Sequence, residues 1–218
     1  RNMIQEAIES EGIEEIFKLG ETGEKEVDIF SEDYLAKLDK IKLPNTKIKL
    51  LQKLLAKAIE DVQKINKIMG IDFTKRLQFI VDKYNERKES DVLDSMVLED
   101  FTDEIIDLYF ALKKEKDSFK DLGIDIEEKA FYDILKALAI KYDFVYPEDK
   151  LVILAQKVKE VVDDKAKYTD WSKRDDIKAE LKVGLIILLA DNGYPPVDRD
   201  EVYKEIFEQA ENFKKYKN

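Results

Sequence analysis

Cysteine and histidine are both absent from the 218 residues. Without cysteine there is no disulfide framework, no thiolate nucleophile and no thiolate metal site. That agrees with a reducing cytoplasm. Without histidine the commonest general base and the commonest metal ligand are lost together, so catalysis would have to rest on Asp, Glu, Lys, Tyr or Ser. Glycine and proline are scarce, at 7 and 4. No apolar run approaches the roughly 20 residues needed to span a bilayer. The longest, Val183 to Ala190, reads as a segment of a buried helix. No signal peptide is legible. The chain opens with Arg1 rather than Met, and is expected to be a piece of something longer.

What is present is charge and regularly spaced apolar residues. Charged residues make up 40% and apolar residues 44%. With so little Gly and Pro, this balance favours helices with wide solvated faces. The net charge of −11 is unevenly spread. Residues 1–39 carry 4 basic and 12 acidic groups, residues 40–90 carry 13 and 6, and residues 91–135 carry 5 and 14. Such alternation marks either basic and acidic helices neutralising one another within one fold, or a basic stripe offered to phosphates.

Periodicity defines the elements. A loose helical pattern runs over Met3 to Leu19, and Ser31 stands as N-cap of a short helix through Leu38. From Asn45, apolar Ile48, Leu51, Leu55, Ile59, Val62, Ile65 and Met69 recur at i+3 and i+4. Gly70 is the expected stop, and Asp72 the expected cap of the next helix. A long acidic helix follows from Asp91. Leu122-Gly123-Ile124-Asp125 reads as a subdomain boundary, with Asp125 and Glu128 as an acidic capping box. Further helices pass through Phe131 to Tyr142, Leu151 to Val162, Asp170 or Ser172 to Ala190, and Val202 to Phe213. The segment Leu185 to Leu189 is apolar all round and is expected to be buried on every side. No segment alternates as a strand does. The expectation is an all-α, irregular multi-helix bundle of about eight or nine helices. Two helical subdomains are expected, 1–122 and 123–218.

Catalytic motifs are weak. Asp176, Glu180 and Lys182 spell a carboxylate followed by Glu-x-Lys, as two-metal nucleases do. On a helix, however, Glu180 and Lys182 stand about 200° apart. No Gly is followed by Lys, so there is no phosphate-cradling loop. The adjacent pairs Asp163-Asp164 and Asp175-Asp176 point in different directions on a helix and read as caps and solvated faces. No catalytic, cofactor-binding or metal-ligating residue is therefore assigned.

Several stretches are family-like. They include Lys42-Leu43-Pro44-Asn45-Thr46-Lys47, Leu98-Glu99-Asp100-Phe101-Thr102-Asp103-Glu104 and Glu128-Lys129-Ala130-Phe131-Tyr132-Asp133. The most specific run from Tyr168-Thr169-Asp170-Trp171 through Arg174-Asp175-Asp176 to Gly193-Tyr194-Pro195-Pro196. Together they resemble the C-terminal region of the restriction (R) subunit of type I restriction–modification enzymes. Gly184 departs from that pattern, where a polar residue is expected.

The resemblance implies a parent subunit with a nuclease domain and two helicase-like motor domains, using ATP and Mg. It also implies methyltransferase (M) and specificity (S) subunits as partners, with DNA in the full complex, in the cytoplasm and away from any membrane. It implies a non-catalytic role for this region, docking the motor and nuclease onto the methyltransferase core. The candidate partner surface is Tyr168, Trp171, Arg174 and Tyr194, since Trp, Tyr and Arg dominate interface hot spots; the alternative is that Trp171 packs as an anchor beside a helix start and that Tyr194-Pro195-Pro196 redirects the chain. A second reading gives Lys49, Lys53, Lys57, Lys64 and Lys67 to the DNA phosphate backbone.

Overall fold

A computed structural model describes residues 44–86, 95–165, 167, 170–195 and 200–216, together with Ser31 and Ala36. Every regular element among them is helical. The α-helices are α1 (Pro44–Ile65), α2 (Lys67–Asn85), α3 (Ser95–Asp121), α4 (Ile126–Lys141), α5 (Glu148–Lys165), α6 (Asp175–Asp191) and α7 (Asp200–Tyr216). A single 3-10 turn, Trp171–Lys173, precedes α6. The all-α reading therefore holds, with seven α-helices among the described residues. The helices expected over 3–19 and 31–38 lie outside those residues, apart from Ser31 and Ala36. None of the described helices is long and apolar enough to cross a membrane.

The chain forms two compact units. One comprises residues 1–58 and 76–113, the other residues 59–75 and 114–218. Residues 59–75 group with the C-terminal helices. In the first unit the apolar stripe of α1 buries Ile48, Leu51 and Leu55. Leu77, Ile80 and Tyr84 of α2 and Phe101, Ile105, Leu108 and Leu112 of α3 are buried too. The Tyr84 ring meets Phe101 edge-on, centroids 5.0 Å apart, the geometry that aromatic quadrupoles favour.

The second unit packs α4 against α5 and α7, and α5 against α6. Its core joins Phe131, Leu135 and Leu138 of α4 to Leu154 and Val158 of α5, Leu181, Leu185 and Leu189 of α6, and Val202 and Ile206 of α7. The expected capping box is formed. Asp125 accepts from the backbone N–H groups of Glu127 and Glu128 at 2.8 Å each, and Glu128 accepts from the Asp125 N–H at 2.8 Å. Three helices end in one motif, in which backbone N–H groups reach back to carbonyls three and five residues earlier. It closes α3 at Gly123–Ile124, α4 at Asp143–Phe144 and α6 at Gly193–Tyr194. The motif needs a left-handed residue. Gly123 (φ 67) and Gly193 (φ 64) adopt it cheaply, whereas Asp143 (φ 53) does so with a Cβ.

Two expectations are corrected. The helix from residue 45 does not run to Met69 and stop at Gly70. It breaks at Asn66, whose Oδ1 accepts from the Met69 N–H at 3.1 Å and so caps α2. Asp72, the expected cap, lies exposed inside α2. Gly70 is buried in α2, where a Cβ would lie 2.4 Å from Gln63 Cβ. Its glycine serves close approach across the bend, not termination. The second correction concerns α6. Ile177, Leu181, Leu185 and Leu189 are buried, but Val183, Ile186 and Ile187 are 55%, 37% and 55% exposed. An all-apolar sequence here has one face in the core and one in water.

Candidate interaction surfaces

The aromatic candidates divide. Tyr168 lies outside the described residues. Trp171 and Tyr194 are 0% and 1% exposed. They anchor the core of the second unit, so neither ring is offered to a partner. Tyr194 donates its hydroxyl to the Leu135 carbonyl at 2.7 Å. Phe144 and Tyr146 meet its ring edge-on, both at 5.3 Å. Burial pushes its phenol well above the ordinary range. Trp171 fills the start of α6, with Lys214 of α7 5.9 Å from the ring centroid. Among the described residues the Trp171 Nε1–H has no acceptor. The burial has a simple cause. The 3-10 turn and the Gly193 turn bracket α6, and a large apolar ring at each bracket seals one end of the core. Of the three described candidates, Arg174 lies at the surface, where it grips Asp176 through Nε (3.2 Å) and Nη2 (2.6 Å).

The basic candidates divide as well. Lys49, Lys53 and Lys57 are exposed on α1, four residues apart and on one face. Lys64 bonds Asp61 at 2.7 Å and lies 3.7 Å from Glu60. The Asp61 hydrogen bond raises its ammonium above the usual lysine value. Lys67 is ion-paired with Glu208 of α7. Lys64 and Lys67 thus have carboxylate partners inside the second unit.

The nuclease-like triple does not converge. Asp176 goes to Arg174, Glu180 to Lys165 at 3.4 Å, and Lys182 to Asp200 at 2.6 Å. Among the described residues no three carboxylates come together as metal ligands.

A polar cluster around the bend at Asn66 escaped the sequence reading. The bend strands backbone groups that a straight helix would pair, and side chains from α7 satisfy them, while Asp133 of α4 holds the Asn66 side chain. Gln209, 0% exposed, accepts from the Lys67 N–H at 2.9 Å and donates to the Ile65 carbonyl at 2.7 Å. Asn212 donates to the carbonyls of Gln63 and Lys64 at 2.8 and 2.9 Å. Asn66 donates to Asp133 at 2.6 Å, and Asp133 also binds the buried Lys129, which bonds Glu115 at 2.9 Å. Burial pushes the Asp133 carboxyl up, outweighing Lys129 and Asn66. Burial also pushes Glu115 up, but the bond and charge of Lys129, with Ser118, outweigh it and leave that carboxyl below its usual value. Nothing in the sequence links Asn66 to Gln209 and Asn212, which stand more than 140 residues away.

The described residues thus define an all-helical protein whose polar constellations pair with one another and with backbone groups. A family model described as "Type I restriction enzyme HindI endonuclease subunit-like, C-terminal" matches residues 1–216, and the chain belongs to this family. It is 22% identical over 215 residues to the putative type I restriction enzyme MjaIXP endonuclease subunit of Methanocaldococcus jannaschii, covering 97% of this chain and 20% of that protein. It is also 22% identical over 213 residues to the type I restriction enzyme HindI endonuclease subunit of Haemophilus influenzae, covering 97% of this chain and 19% of that protein. The chain spans about a fifth of the length of these curated relatives. No solved structure matches it.

Proposed function

We propose that this chain is the non-catalytic C-terminal module of a type I restriction endonuclease subunit. It docks the motor and nuclease of its parent onto the methyltransferase core. The observation that carries this reading is the family match over residues 1–216, to the C-terminal part of proteins named as endonuclease subunits. ATP and Mg belong, on this reading, to parent domains outside the chain. The M and S subunits are the docking partners, in the cytoplasm, and DNA is the substrate of the assembly. The surface agrees. On one helix, α6, the apolar Val183, Ile186 and Ile187 are 55%, 37% and 55% exposed, and contiguous exposed apolar side chains of this kind mark interaction sites.

The test is retention of the chain by a purified, cognate methyltransferase core at low and at roughly physiological salt. Retention at both is expected, and loss at both contradicts the reading. A second role is supported by Lys49, Lys53 and Lys57, exposed in register on α1. Contact of these lysines with DNA phosphates predicts binding that weakens steeply with salt. Replacing Lys49 and Lys53 with Glu should flatten the salt slope by about 2. An unchanged slope removes the DNA role and leaves docking intact.

A further inference from the structure

The outward face of α6 carries exposed apolar side chains in helical register. Ala179, Val183, Ile186 and Ala190 follow one another at spacings of four, three and four. That is the a/d spacing of a coiled-coil seam. Ile187 flanks it, and Val183 and Ile187 are each 55% exposed. The seam is small at both ends and β-branched in the middle, so a facing helix can come close along its length. The buried Leu181, Leu185 and Leu189 hold the opposite side of α6 to the core, so the seam is fixed in place.

Charge selects the occupant. Asp175, Asp176, Glu180 and Asp191 border the seam and are exposed. Arg174 and Lys165 meet Asp176 and Glu180, and Lys182 is turned to Asp200. Each of the other six α-helices carries a lysine in its last turn, where it suits the helix dipole. α6 has none and ends in Asp191. Lys157 of α5 reaches only the Asn192 side chain there, at 3.1 Å. Two copies paired through α6 would set carboxylates against carboxylates in either orientation, because both ends are acidic. From Ala179 to Ala190 the seam is about 17 Å long and about 10 Å wide. That footprint is far below the roughly 800 Å² per partner of a stable interface, so it fits one helix within a larger assembly.

We infer that α6 receives a single amphipathic helix with an apolar stripe and a Lys/Arg margin, contributed by the methyltransferase core. The inference rests on the docking function proposed above and names the surface. The test titrates the full chain into purified methyltransferase core and measures affinity. The V183Q/I187Q pair should weaken binding at least about tenfold. D191K should weaken it by several-fold with less salt dependence, while I153Q, at an exposed position on α5, should leave it unchanged. Circular dichroism melts confirm that each variant folds. Undiminished binding by V183Q/I187Q, when the unmodified chain binds, overturns this inference alone. Absence of binding by the unmodified chain removes the docking function and the inference with it. A photo-crosslinker at position 187 should join a core helix bearing Lys or Arg beside its apolar stripe. Capture of a second copy of the chain, or of residues 1–43, overturns the assignment.

Discussion

Substituting Gly70 with Ala sets two effects of opposite sign against each other. Helix propensity alone predicts stabilisation, because Ala is favoured over Gly inside a helix by about 0.5–1 kcal/mol. The structure predicts the reverse. The added methyl carbon would lie 2.4 Å from Gln63 Cβ, 2.6 Å from its Cα and 2.7 Å from its Cγ. Carbon atoms in contact rest at roughly 3.5–4.0 Å, so the overlap exceeds about 1 Å. It falls on backbone as well as side chain, and a rotamer change cannot relieve it. Opening the bend would also stretch the bonds from Gln209 and Asn212 to the carbonyls of residues 63–65. Overpacking of this kind costs about 2–3 kcal/mol, leaving a net loss of about 1–2.5 kcal/mol after the propensity gain. For a chain of this size that lowers Tm by roughly 2–10 °C. Gly184→Ala is the control. Its Cβ would approach only Val161 Cγ1, at 3.3 Å, which a small side-chain adjustment absorbs, so its stability should change by less than about 0.5 kcal/mol. Thermal and urea unfolding followed by far-ultraviolet circular dichroism reads both. A G70A chain as stable as the unmodified one, or more so, refutes the close approach at the bend.

Other outcomes follow from the same structure. Trp171 is the only tryptophan and is 0% exposed, so native emission should be blue-shifted and should move to the red on unfolding; a solvent-like native maximum contradicts its place in the core. Gln209→Leu strands the Lys67 N–H and the Ile65 carbonyl and should cost about 2–4 kcal/mol, read by urea unfolding. Asp143→Gly relieves a left-handed residue that carries a Cβ and should stabilise by about 0.5–1 kcal/mol. The raised Tyr194 phenol favours the neutral form in the folded state. Its contribution is intact below the ordinary phenol value near 10 and is lost as pH rises beyond it. Tyr194→Phe should therefore be the less stable protein at pH 7, by about 1 kcal/mol, yet lose less stability than the unmodified chain above pH 10, as measured by melts across that range.

Elements with one dominant signal were legible in the sequence. The capping box at Asp125 and Glu128, the turns at Gly123 and Gly193, and the apolar stripe of α1 each state their structure locally. The bend at Asn66 was not legible, because the apolar stripe continues through it and its stabilisers, Gln209 and Asn212, are more than 140 residues away. Gly70 misled for a related reason. Glycine at a helix end and glycine at a close crossing look alike until the neighbour is known. The same ambiguity put Trp171 and Tyr194 on a surface: large rings beside turns serve as interface anchors or as core plugs, and burial alone distinguishes them. The run Leu185 to Leu189 was read as wholly buried because apolar content reports affinity for an apolar partner, not whether that partner lies within the same chain.

The most direct test of the docking account is reconstitution with the full-length parent subunit, with and without the residues of this chain. The account predicts that the complete subunit joins purified methyltransferase core in a single sedimenting complex, and that the shortened subunit, folded by circular dichroism, sediments apart from it. A shortened subunit that still co-sediments with the core would contradict the account.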